Sequence, residues 1–539
     1  MPAIRGSDSI AIGLALVLLA TGSLVRAQTA TDPAAATASP GAQAVESFDI
    51  LEFRVLGNTV VAPVEIEQSV YPLLGPDKTF KDVERARDAL VALYRKHGFG
   101  AVYVDIPEQE VKEGLVRLQV TEGKLDRSHI TGARYFANGR IRSELPALER
   151  GQVLNTDQLQ QQLAQVNRVS PDRNVVPVLR AGSTPGTVDV DMKVNDKLPF
   201  HASFDTNDRY TANTSHTRIG INLSYDNLFQ MFHSFSLQYQ MAPSDLSESR
   251  VIAGTYLIPV GDLSRLAFYA VDTNSNVAAV GTLSVIGAGR IYGMRYIEPL
   301  PAWGSGFTQS FSTGMDFKDF RNTIRLTDSS DLTPIKYAVW SATYTANLQT
   351  NSTLTTLNVT PSLGVRGIFN KEDQFDYKRY QARANFLYLR ASLQHERPLI
   401  FGTRLFARVA TQLTGEPLID NEQMSLGGLD SARAYVEADT LGDEGVNGTI
   451  EWRSPTFGPE SGDWGKTYLY SFFDAGFVRT LDPLPSQIAR SNLSDWGLGV
   501  RITSFRGLQA TFDFAKARQG TVNTPAGASR VNFDFSYGF

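Results

Sequence analysis

No cysteine occurs in the 539 residues, which excludes disulfides, thiolate metal sites and thiol catalysis. Excess charge of one sign is also lacking: the formal net charge is -5 and no basic stripe appears, so no nucleic-acid partner is expected. Long apolar runs are almost absent. The one candidate, residues 10–20, falls short of the roughly 20 residues a spanning helix needs. With Arg5 ahead of it and Val25-Arg26-Ala27 behind, it reads as a secretory signal over residues 1–27, cleaved before Gln28. No other stretch suits a membrane helix, so residence in a membrane falls to strands. The histidines, His97, His129, His201, His216, His233 and His395, are scattered without an i,i+4 pair, which gives no metal-ligand spacing. Neither a G-x-S-x-G elbow nor a phosphate loop occurs. No catalytic residues, cofactor or metal are expected, and the chain does not read as an enzyme.

What is present divides into two regimes. Residues 28–47 are rich in Ala, Thr and Pro and read as a flexible linker. Residues 48–124 and 125–198 then read as two compact α/β domains. In the first, Leu51-Glu52-Phe53-Arg54-Val55 alternates as a strand and stops at Gly57-Asn58. Segments 64–74 and 80–97 carry helical spacing, with Val83, Ala86, Leu90, Leu93 and Tyr94 on one face and Gly98 placed to end the second helix. Strands at 101–106 and 115–120 follow. The second domain repeats the order, with a strand at 125–130, helices at 137–148 and 156–169, and strands at 175–180 and 187–194. Two units of the same β-α-α-β-β order are an internal repeat, a stronger signal than either alone.

From residue 199 to 539 helical spacing gives way to period-two alternation. Ile219, Ile221, Leu223 and Tyr225 alternate with Gly220, Asn222 and Ser224; Val531, Phe533, Phe535, Tyr537 and Phe539 alternate with Asn532, Asp534, Ser536 and Gly538. Most such runs are about 9–11 residues, the length of a tilted membrane strand. Sixteen are expected: 200–209, 215–225, 231–241, 249–258, 263–273, 288–298, 308–318, 337–348, 354–368, 383–395, 402–414, 446–454, 467–478, 496–503, 507–516 and 531–539. An even total suits closure. The long connections, 274–287, 319–336, 369–382, 415–445, 479–495 and 517–530, all follow odd strands, the long-outside, short-inside asymmetry of outer-membrane barrels; connection 455–466 breaks the trend. The fold class is mainly β: a sixteen-stranded antiparallel transmembrane barrel preceded by two α/β domains.

Two motifs stand out. The longest external connection, 415–445, holds Leu426-Gly427-Gly428-Leu429-Asp430-Ser431-Ala432-Arg433-Ala434-Tyr435, whose glycine pair lets it fold back into a wide barrel. Two strands on, Phe472-Phe473-Asp474-Ala475-Gly476 puts Phe472, Asp474 and Gly476 on one face. A carboxylate is costly against lipid, so Asp474 is expected in the lumen. There it needs a cation, and Arg433 offers one with planar bidentate geometry.

These residues resemble those of the two-partner secretion transporters, the haemolysin secretion/activation family of the superfamily that joins POTRA domains to an outer-membrane barrel. The resemblance covers essentially everything after the signal. The family pairs a V-R-G-Y motif in the sixth external loop with F-x-D-x-G on strand thirteen; Ala432-Arg433-Ala434-Tyr435 and Phe472 to Gly476 fill these places. Ile106-Pro107-Glu108-Gln109, Gly114-Leu115 and Glu122-Gly123 are similar to the end of the family's first POTRA domain, and Phe539 to its C-terminal assembly signal. Two departures are visible. Ala434 stands where glycine is customary, so the loop tip turns less tightly. Residues 28–47 are too few and too proline-interrupted for the N-terminal plug helix and linker of many members.

The resemblance implies a protein of the bacterial outer membrane, with its N-terminal domains in the periplasm. It implies export of a large β-helical secreted partner, captured unfolded by the POTRA edge strands, with the barrel-assembly machinery and outer-membrane lipid as further partners. An insertase of the same superfamily and a passive porin or surface receptor are the alternatives. The Arg433–Asp474 pair reads as a static brace, with a moving lock as the alternative.

Overall fold

The computed structural model describes residues 47–539 apart from 213, 262, 276, 281–282, 327–328, 459–464 and 505–506. The expected signal segment and all but the last residue of the expected linker lie outside the described residues. The described chain divides into two units at Asp196/Lys197.

In the N-terminal unit the first sheet places Leu115–Glu122 centrally, parallel to Glu52–Leu56 and antiparallel to Val102–Asp105. The helix Phe80–Lys96 starts at a reciprocal Thr79/Asp82 capping box, which satisfies N–H groups that the first turn leaves unpaired. Its Val83, Ala86, Leu90 and Tyr94 are buried against Val116, Leu118 and Val120, as their three- and four-residue spacing requires. One element was not foreseen: Phe48–Ile50 pairs with Gly75–Lys78, a Gly-Pro-Asp-Lys stretch with no apolar alternation to announce it. The second sheet places Thr187–Asp196 between Lys124–Thr131 and Arg173–Ala181. It is covered by Asn138–Ser143 and by Thr156–Val169, which buries Leu159, Leu163 and Val166.

The repeat extends to single atoms. Gly57 and Gly132 both have φ +87°, and a Cβ on either would collide with a carbonyl oxygen, that of Val120 or of Val194. In each case a carboxylate at the end of the last strand then ties down the loop into the first helix. Glu122 accepts the Thr59 and Val60 N–H groups at 2.7 and 3.1 Å, and Asp196 accepts those of Arg134, Tyr135 and Phe136 at 2.9, 2.8 and 3.1 Å. Burial pushes the Glu122 carboxyl up. The Thr59 hydroxyl and N–H, the Val60 N–H and the Tyr94 hydroxyl outweigh it, so the group titrates below the ordinary carboxylate range.

The C-terminal unit is a closed antiparallel barrel of sixteen strands, in which each strand pairs with the next and the last with the first. In order they are Phe200–Asn207, Arg218–Leu228, His233–Met241, Arg250–Val260, Ser264–Thr273, Gly289–Leu300, Phe307–Leu326, Ser329–Gln349, Leu354–Gly364, Phe386–Pro398, Arg404–Thr414, Glu444–Arg453, Lys466–Arg479, Arg490–Thr503, Leu508–Ala517 and Ser529–Gly538. Ile221, Leu223, Trp340, Ile450, Trp452, Trp496 and Leu498 point outward and are exposed. An apolar outer face of this extent is unsustainable in water and matches lipid. Among the described residues no helix is long and apolar enough to cross a membrane. The crossing falls to strands.

Several expected external connections differ, and 274–287 itself holds the paired strands Val277–Val280 and Leu283–Ile286. Most of 319–336 is strand, since the ladder of strands seven and eight runs on to Leu326↔Ser329. Strand fourteen starts at Arg490, six residues early, because its ladder to strand thirteen continues to Arg479↔Arg490. Backbone pairing persists beyond the lipid, whereas apolar alternation, the only signal in the sequence, stops where lipid stops. Connection 369–382 is not irregular either: it contains the helix Glu372–Lys378.

Candidate functional site

The connection between strands eleven and twelve turns back into the barrel. A short ladder pairs Met424–Leu426 with Thr440–Gly442. Beyond it Gly427 and Gly428 adopt φ +111° and +100°, open to glycine and strained for other residues. Ser431 Oγ accepts the Gly427 N–H at 2.8 Å, and Gly428 and Ala432 exchange backbone hydrogen bonds at 3.1 Å each. This tight tip carries Arg433 and Tyr435, both buried.

The inward face of strand thirteen receives it. Tyr470, Phe472, Asp474 and Val478 are buried while Leu469 and Phe473 are exposed, the alternation expected of a wall between lumen and lipid. The Arg433 guanidinium lies 4.0 Å above the Phe472 ring, a cation–π contact. A Cβ on Gly476 would sit 2.9 Å from Leu426 Cδ1 and 2.8 Å from the Val446 carbonyl oxygen, so only glycine lets the loop approach there.

The expected bidentate Arg433–Asp474 pair does not form. Arg433 Nη2 donates to Glu451 Oε1 at 2.5 Å, whereas its Nε stands 3.5 Å from Asp474 Oδ2. Asp474 also accepts the Arg433 backbone N–H, at 3.4 Å. The reason lies in the wall: Glu451 on strand twelve is already oriented by Arg453, whose Nη2 and Nε donate at 2.6 and 2.9 Å, and it presents its free oxygen to the fork. The neighbouring carboxylate Asp495 accepts the Ala434 N–H at 3.3 Å.

Tyr435 is clamped at both ends. Its hydroxyl lies 2.9 Å from the Gln519 carbonyl and 3.0 Å from that of Ser494, and its own carbonyl accepts from Arg530 at 2.6 Å. Asn532 donates to the Arg433 carbonyl at 2.9 Å. Strands twelve, thirteen, fourteen and sixteen and the connection after strand fifteen therefore all touch the tip or the wall around it. Ala434, in place of the customary glycine, is buried and accommodated.

Phe539 is the remaining residue singled out in the sequence. It sits at the closing seam, where its N–H donates to Ala202 at 3.0 Å and its carbonyl accepts from Ala202 at 3.2 Å.

Sequence reasoning missed Glu451, Asp495, Arg530 and Asn532. Glu451 was within reach, because the inward face of strand twelve reads Asn447, Thr449, Glu451, Arg453 against Val446, Gly448, Ile450, Trp452. Asp495 was hidden by the expectation of a loop there.

Fold and site together define a class: an outer-membrane barrel with periplasmic α/β domains and an external loop anchored inside its lumen. Residues 186–502 match the haemolysin secretion/activation protein family ShlB/FhaC/HecB, and residues 48–123 match the ShlB-type POTRA domain. The chain belongs to this family. A relative, the outer membrane transporter CdiB of Dickeya dadantii (strain 3937), is 24% identical over 379 residues, 68% of this chain and 66% of that protein. The chain thus spans just under two thirds of that relative's length. Among solved structures, CdiB from Escherichia coli is 18% identical with a TM-score of 0.58, covering 93% of both chains. CdiB from Acinetobacter baumannii is 15% identical with a TM-score of 0.53, covering 92% of this chain and 90% of that one. BamA from Haemophilus ducreyi lacking POTRA domains 1–3 is 15% identical with a TM-score of 0.56, covering 91% and 100%. At these identities the likeness is one of fold.

Proposed function

We propose that this protein takes an unfolded, secreted partner protein from the periplasm and passes it through its barrel to the cell surface. The observation that carries the reading is a closed barrel into which one external loop is folded and held by side-chain hydrogen bonds and an ion pair. A passive pore has no need of the periplasmic α/β domains. Capture falls to the edge strands of the α/β units: Glu52–Leu56, which among the described residues pairs on one side, and Lys124–Thr131, whose outer edge is bridged at its start to Val153 and carries no further strand among the described residues. Backbone pairing there binds an extended chain with little demand on its sequence. Residues 48–124 form one POTRA-type domain and residues 125–198 a second, whose repeat of the glycine and carboxylate loop ties supports the assignment. Residues 1–27 serve as the signal and 28–47 as the linker.

In the lumen Gly427, Gly428, Arg433 and Tyr435 form the loop's seated tip, and Phe472, Asp474 and Gly476 its seat. The tip shifts as cargo passes, and folding outside draws the chain onward. The partner is a large β-helical protein, and Phe539 directs the barrel to the assembly machinery. Insertase activity draws on the BamA fold likeness alone, whereas the family match over residues 186–502 supports secretion. Deleting the gene should remove one large protein from the culture supernatant, and a supernatant unchanged by proteomics would overturn the proposal. Asp474→Ala should alter both pore conductance and secretion; if neither changes, Asp474 is no part of a lock.

A further inference from the structure

The inner wall of the barrel is not uniformly polar. Along the inward face of strand eight, Ser341, Thr343, Thr345 and Asn347 are polar, and Thr343 and Thr345 bond to Thr360 and Asn358 on strand nine. Towards the external end the same face reads Ile335, Tyr337, Val339, all buried. Ile291, Phe320, Phe386 and Tyr388 continue this apolar arc on strands six, seven and ten. An arc of that kind facing water would be costly, so something must cover it.

Two external connections do. The helix Glu372–Lys378 inserts Phe375, its ring 5.6 Å from Tyr337 and 5.7 Å from Phe386, and Leu418 and Ile419 from the root of the 415–443 connection join the same core. Beneath them Glu422 is wholly buried and bonded three ways, by Lys318 at 2.5 Å, Tyr337 at 2.5 Å and Tyr388 at 2.7 Å. The two connections are also clasped to one another. Arg379 donates to both carboxylate oxygens of Asp443 and to the carbonyls of Leu418 and Leu481, and Lys378 Nζ lies 3.4 Å from Asp420. None of these partners is shared with Arg433.

We propose that residues 365–385 and the root of the 415–443 connection form a stopper that closes the external end of the lumen along strands six to ten, held by contacts independent of the Arg433 seat. The proposal rests on reading the barrel as an export channel, because the stopper must then be displaced for cargo to leave. Its apolar body favours reseating after each passage, and the Arg379–Asp443 clasp sets the closed position.

Two measurements on the full chain test it. First, residues 372–378 are replaced by a Gly-Ser turn, folding is verified by heat-modifiable gel migration, and current is recorded in planar bilayers. A several-fold rise in mean current is expected; a folded variant with the parent current overturns the stopper. Second, Lys378→Cys with Asp420→Cys is oxidised in a chain that has no other cysteine. Export should stop on oxidation and return with reductant, and undiminished export by cross-linked protein also overturns the stopper. The two readings fail separately. Raised current without loss of any exported protein on gene deletion keeps the stopper and removes transport; unchanged current in an exporting strain removes the stopper alone.

Discussion

Glu451, rather than the motif residue Asp474, should be the main electrostatic anchor of the loop tip, and substituting each in turn separates the two. Truncating one partner of a buried, hydrogen-bonded ion pair costs about 3–5 kcal/mol. Glu451 is such a partner, with its 2.5 Å bond to Arg433, and its loss also leaves Arg433 facing Arg453 unscreened. A cost near the bottom of that range raises the loop-out population by about two powers of ten. Asp474 offers only an ion pair at 3.5 Å and a long backbone hydrogen bond, and it stands directly across the ladder from Asp495. Removing it relieves like-charge repulsion, so the net cost is about 1 kcal/mol, a factor of roughly five. Trypsin reads this difference, because Arg433 is the sole Lys or Arg between Arg408 and Arg453. Cleavage at Arg433 on intact cells tracks the loop-out population when opening is fast. Glu451→Ala should therefore be cut at Arg433 markedly faster than Asp474→Ala, and both faster than the parent. Equal rates, or faster cutting of Asp474→Ala, would refute the reasoning.

Further outcomes follow from the same structure. The Glu122 carboxyl is held below its usual range, so its contribution to the first α/β unit is complete above the unfolded value of about 4.3 and fades as pH falls through the folded value. Chemical denaturation of segment 47–196 followed by circular dichroism should lose stability on acidification below that point, and Glu122→Gln should flatten the loss while lowering stability at neutral pH by about 1–3 kcal/mol. Gly476→Val pushes a side chain into Leu426 and the strand-twelve backbone, so trypsin should reach Arg433 in it even with Glu451 intact. Deleting Phe539 removes two backbone hydrogen bonds from a seam in which strand sixteen pairs with strand one from Asp534 to Gly538 only. The folded, heat-modifiable fraction in outer-membrane preparations should fall.

Period-two alternation made the barrel legible, because lipid outside and water inside impose opposite demands on successive side chains, strand after strand. It located all sixteen strands, and it failed where one of those demands lapses. Strands seven, eight and fourteen run past the lipid, and there their residues carry no apolar beat. The α/β units were legible for a related reason: Val83, Ala86, Leu90 and Tyr94 share one helical face. The Gly75–Lys78 strand was not, since its pairing with Phe48–Ile50 is held by backbone bonds that its side chains do not advertise.

The sequence by itself determined the two regimes, the even strand count, the loop chosen to fold inward and the residue types at its tip, because each follows from local spacing and from what lipid forbids. Only the tertiary structure decided which carboxylate Arg433 takes and that Tyr435 is clamped by the Ser494 and Gln519 carbonyls. It alone showed that Glu422 belongs with Lys318, more than a hundred residues away. Those choices depend on distances of a few tenths of an ångström between strands remote in the chain, and no local pattern records them.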